Sequence, residues 1–117
     1  MEDELTPDMI SALNQLQGDL QTVQNAFDQL DAGNRFENSN QREQMAEAVK
    51  VALMNFVRAK NRILGESDAT VANLIATAGQ ARKDIATALE GLQNIKATLN
   101  TITKAVNTVA SVVATLA

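Results

Sequence analysis

Residues 71–116 read VANLIATAGQARKDIATALEGLQNIKATLNTITKAVNTVASVVATL. Along this stretch an apolar or Ala residue returns at alternating steps of three and four without a skip: Val71, Leu74, Ala78, Ala81, Ile85, Ala88, Leu92, Ile95, Leu99, Ile102, Val106, Val109, Val113 and Leu116. A side chain on a helix comes back to the same face every 3.6 residues, so the series is the buried seam of a helix lying along other helices. It is the longest such pattern in the chain, and what covers it decides the architecture.

The rest of the composition agrees with a helical reading. The chain has 117 residues, enough for a single domain spanning 1–117 with one modest core. It is 45% hydrophobic, yet its only aromatic residues are three Phe. Ala, Leu, Val, Ile and Met must therefore fill the core, which suits closely packed helices better than a sheet. One Pro and five Gly supply few turns, where an all-β chain of this size needs many. The fold class predicted is all-α, an antiparallel bundle of heptad-patterned helices.

Two shorter seams precede the long one. Met9, Leu13, Leu16, Leu20, Val23, Phe27 and Leu30 mark a first helix over about 7–32. Thr6 is placed to cap it, and Pro7 fits the first helical position, where a missing N–H costs nothing. Gly33 is a candidate for the left-handed residue that closes it. Phe36, in the polar connection, is placed to fold back over the end of the bundle. Met45, Val49, Ala52, Phe56, Ala59 and Ile63 mark a second helix over about 40–64, with Asn40 and Glu43 in capping-box relation and Asn38 or Ser39 as alternative caps. Ala46, Leu53, Val57 and Leu64 widen this stripe, which argues for at least two neighbours. Gly65 closes the helix. Ser67 or Asp68 caps the next, and so short a link predicts that helix three runs back along helix two.

Length then presents a choice. Helices one and two cover about 25 residues each, or roughly 38 Å; the third pattern, over about 68–117, covers nearly 50 residues, or roughly 75 Å if continuous. Its first half suffices to cover the hairpin. Its second half, 92–117, carries Ile95, Leu99, Ile102, Val106, Val109, Val113 and Leu116 with nothing left to bury them. At about 25 cal/mol per Å² of apolar area, leaving that stripe in water forgoes roughly 5–10 kcal/mol. Either the helix is straight and its tail pairs with another molecule, or the chain breaks near Gly91 and folds back as a four-helix bundle. The phase passes through Gly91 unbroken and no Pro or polar cluster marks a loop, so the sequence favours three helices with a long third. On that reading these seven residues are the partner-interface residues.

Catalytic chemistry finds little support. With no His and no Cys the chain lacks the commonest general base, the commonest metal ligand, a thiolate site and a disulfide framework. Glu43 and Glu47 share a helix face without the His of a bundle metal site. The Gly residues stand singly, so no phosphate loop is present. No catalytic, cofactor-binding or metal residues, no cofactor and no small-molecule substrate are expected. The formal charge is −4, spread as an acidic first third and a basic second third. That suits two neighbouring antiparallel helices and not a nucleic-acid surface, since no aromatic residues interleave the bases.

The function expected is that of a non-enzymatic structural or interaction protein, partnered by a second copy of itself or by another helical protein through the tail seam. One alternative is an amphipathic helical protein acting on a membrane or hydrophobic particle, as pore-forming and granule-coating proteins do. The tail's lack of Trp and Tyr, with only Lys96 and Lys104 to meet anionic headgroups, weakens it. Another is a monomeric four-helix partner-binding module. An acidic, polar start and the absence of a long apolar run predict no signal peptide and no membrane span, hence a cytoplasmic product open to leaderless secretion.

Overall fold

The computed structural model describes residues 4–91 and 94–116. They form four helices, α1 Pro7–Ala32, α2 Ser39–Arg62, α3 Asp68–Glu90 and α4 Ile95–Val113, gathered into a rod of 51 × 21 × 20 Å. The all-α bundle expected from the composition is what forms. The long third helix is not: the chain breaks after Glu90, and the tail returns as α4.

The break has a local cause on each side. The Gly91 N–H donates to the Thr87 carbonyl and closes α3, at 3.1 Å. Asn94 then accepts the Ala97 N–H on its Oδ1 at 3.2 Å, supplying one of the bonds that the first turn of a helix cannot make for itself. The connection from Gly91 to Asn94 is about as long in sequence as one helical turn. The four-three count therefore runs through it unchanged, which is why the seam looks continuous. Leu92, a member of that seam, lies outside the described residues, as do Gln93, the acidic residues Glu2 and Asp3, and Ala117 at the end of the predicted third helix.

Each helix packs on two others. α1 lies against α2 and α3, and α4 lies against α2 and α3, so α1/α4 and α2/α3 face each other across the diagonals. The expectation that helix three runs along helix two is thus corrected: α3 reverses direction but lies beside α1 and α4. The residues linking α2 to α3 reach roughly 17 Å when extended. That spans the diagonal of a bundle with 8–10 Å between neighbouring axes. Gly65, at φ 85, gives the link a left-handed step that a side chain would disfavour.

The other helix ends follow from their residues. Thr6 accepts the Met9 N–H at 3.1 Å, Asn38 the Gln41 N–H at 2.9 Å, and Ser67 the Thr70 N–H at 3.2 Å. At the end of α1 it is Asn34 (φ 53), not Gly33 (φ −85), that takes the left-handed conformation. Asn tolerates this region better than other side chains. Phe36 packs on Phe27 with ring centroids 5.8 Å apart, and the Arg42 guanidinium covers Phe27 at 5.1 Å. Arg42 also donates to Asp31 at 3.0 Å, joining the acidic end of α1 to the start of α2.

Candidate interaction surface

The seam residues of the C-terminal segment are in the chain's own core. Ile95, Leu99, Ile102, Val106, Val109, Val113 and Leu116 are between 0% and 7% exposed. They face Leu16, Val23, Leu30, Met45, Leu74 and Ile85 in a single apolar cluster. The premise that made them interface residues, a stripe with no internal partner, does not hold once α4 lies in the groove between α2 and α3.

An uncovered apolar face exists instead on α2. Its buried line is Met45, Ala48, Ala52, Asn55 and Ala59, small residues for the most part, which let α1 and α4 approach closely. The residues that widened the stripe in the sequence point away from both neighbours. Leu53 is 45% exposed, Met54 36%, Val57 38% and Leu64 45%, and Ala46 is exposed beside them. Ala46, Leu53, Val57 and Leu64 fall on one line of heptad spacing, with Lys50 and Lys60 in the intervening seats. Glu43 and Glu47 flank its beginning, and Arg58, Lys60 and Arg62 its end, all exposed. This surface is apolar around Leu53, Met54 and Val57, mixed in charge at its beginning, where Arg42 and Lys50 accompany Glu43 and Glu47, and basic at its end.

The interior holds polar residues that the seam pattern does not announce. Asp19 of α1 is 4% exposed, facing α3. Arg82 of α3 reaches it at 3.7 Å, an ion pair too long to be a hydrogen bond, and donates instead to the Gln15 carbonyl at 3.0 Å. Neither Asp19 oxygen has a hydrogen-bond partner among the described residues. Removal from water therefore dominates and pushes the carboxyl up to about 7, although the Arg82 charge pulls the other way. Gly18 makes room for this arrangement, because a Cβ there would collide with the Arg82 guanidinium. Across the bundle, the buried Asn55 amide donates to the Val106 carbonyl at 3.1 Å. Both residues were detectable: Asp19 continues the line Ala12, Leu16, Val23, Ala26, Leu30, and Asn55 the line of Ala48, Ala52 and Ala59, each at four-three spacing.

A groove of about 600 Å³ between α3 and α4 is lined by Ala76, Thr77, Ala81 and Ala105, with Asp84 and Lys104 its charged residues. Among the described residues no group of three His, Cys, Asp or Glu is placed to share a metal ion, and no helix is long and apolar enough to cross a membrane. No family model, curated protein or solved structure matches the chain.

Proposed function

We propose that the protein is a non-enzymatic interaction module: a closed four-helix bundle that binds a helical protein partner on the outer face of α2. One observation carries the reading. The apolar seam of the C-terminal helix is covered from within, whereas Leu53, Met54 and Val57 stay exposed on α2 and Leu64 in the turn that follows it. An apolar stripe at heptad spacing accepts a second helix by interdigitation of side chains. A photo-reactive residue placed at Val57 tests this in cells that make the chain. Discrete adducts from Val57, and none from the same residue at Lys83 on α3, are expected. No adduct at Val57 contradicts the reading.

A second reading, attachment to an anionic hydrophobic surface, is favoured by Lys50, Arg58, Lys60 and Arg62 around that stripe. Flotation with phosphatidylserine-rich vesicles tests it, and the absence of retained protein rejects it.

A further inference from the structure

We propose that Gly18, Asp19 and Arg82 form an acceptor switch between α1 and α3, worked by one proton. With Asp19 neutral, the Arg82 guanidinium braces the Gln15 carbonyl. With the proton lost to solvent, the Arg82 Nε–H closes on the Asp19 carboxylate and the brace is released. The switch lies on the α1–α3 side of the bundle and is independent of what docks on α2.

Two adjacent residues break the rules of the helix that carries them. Gly18 stands in the middle of the 26-residue α1, where glycine is unfavourable. Asp19 puts a carboxyl group on a core line. The Arg82 guanidinium accounts for both. It lies on the α1 backbone at Gly18, in space that a Cβ would fill, within reach of two acceptors. One is the Gln15 carbonyl, which accepts from Nη2 at 3.0 Å. The other is Asp19 Oδ1, 3.7 Å from Nε. At that distance Nε and both carboxyl oxygens lack a hydrogen-bond partner among the described residues. An approach of about 1 Å turns the contact into a charge-assisted bond. Arg82 is the member able to move, its side chain being 40% exposed against 6% for Asp19. The Gln15 carbonyl can give up the brace, because within α1 it also accepts the Asp19 N–H. A neutral carboxyl draws the guanidinium weakly and leaves it on the carbonyl. A carboxylate without donors in the core draws it strongly.

No other charge competes. α1 packs on α2 and α3. The buried line of α2, Met45, Ala48, Ala52, Asn55 and Ala59, has no titratable group. From α3, Arg82 alone acts on the carboxyl, while Asp68, Lys83, Asp84 and Glu90 are exposed. Across the diagonal, the buried residues of α4 carry no charge. Burial outweighs Arg82 in setting the proton affinity, so the exchange falls at about pH 7 and the closed pair offsets only part of the cost of the buried charge.

Nuclear magnetic resonance of the full chain, titrated from acid to alkaline pH, tests the switch. The Asp19 side-chain carbon, the Gln15 carbonyl carbon and the Arg82 Nε proton should titrate together. As Asp19 ionises, the Nε proton should move downfield and gain at least about tenfold protection against exchange with water. In Asp19→Asn the Gln15 and Arg82 signals should keep their acid positions throughout. Should that variant not fold, the joint titration in the native chain decides alone. An Asp19 carbon that titrates while the Gln15 and Arg82 signals stand still would overturn the switch. So would an Asp19 carbon that titrates only in the ordinary carboxylate range. Movement of the Gln15 and Arg82 signals in Asp19→Asn would overturn it as well, by assigning them to another group.

Discussion

The buried carboxylate of Asp19 should make the bundle less stable as pH rises toward neutrality. Its pKa is about 7 in the folded chain against an ordinary 3.8. The folded state therefore binds the proton more tightly than the unfolded state. By linkage, the stability tied to this proton is fully present below the unfolded value and is lost as pH rises through the folded one. A tenfold change in proton affinity is worth about 1.4 kcal/mol, so the difference between the two states amounts to about 4 kcal/mol between pH 4 and pH 8. That is a large share of the roughly 5–15 kcal/mol that holds an ordinary domain together. Asp19→Asn has nearly the same shape and cannot ionise. Urea unfolding of both proteins across this range is the assay, because the pH dependence common to the other groups cancels in the comparison. The stability of the native chain relative to Asp19→Asn should fall by about 4 kcal/mol from pH 4 to pH 8. Parallel pH profiles would refute the reasoning, and would mean that water or Arg82 solvates the carboxylate well enough to leave its proton affinity ordinary.

Further outcomes follow from the same geometry. Gly18→Ala should displace the Arg82 guanidinium from its place beside Asp19, steepening the loss of stability with pH despite a helix-propensity gain of about 1 kcal/mol. Urea titrations at pH 5 and pH 8 check it. Asn94→Ala removes the cap of α4 and should cost about 1 kcal/mol, read as a lower thermal midpoint. Ile102→Glu places a carboxylate at a fully buried position. It should cost about 4 kcal/mol or more and reduce circular-dichroism helicity throughout the chain, not in the last helix alone.

The sequence made the helical class legible because the apolar period is strict and the caps at Thr6 and Ser67 are ordinary ones. The wide apolar stripe of the second helix read as contact with two neighbours, but the residues that widen it, Ala46, Leu53, Val57 and Leu64, are left on the surface, and α1 and α4 pack on the Met45, Ala48, Ala52 and Ala59 line instead. The reversal at Gly91 escaped because a connection about one turn long preserves the count on which periodicity depends. Gly91 followed by Asn94 was the available signal, a closing residue and a capping residue at loop distance. The side-by-side order of the helices escaped for a different reason. A short link limits how far the chain can travel but does not choose between an adjacent and a diagonal neighbour. Asp19 was hidden by its type: a carboxylate reads as surface unless the second apolar line of α1 is traced as well as the first.

The central claim, that the chain folds back after Glu90 and covers its own tail, is tested most directly by a distance between exposed positions on the two helices that the sequence joins into one. Spin labels on cysteines at Ala72 and Ser111, diluted with unlabelled chain so that only intramolecular pairs are read, give that distance by pulsed electron resonance. With α3 and α4 packed antiparallel at 8–10 Å between axes, the labels should lie within about 25 Å of each other. A single continuous helix would place them roughly 58 Å apart, and that result would contradict the fold and the assignment of the α2 face built on it.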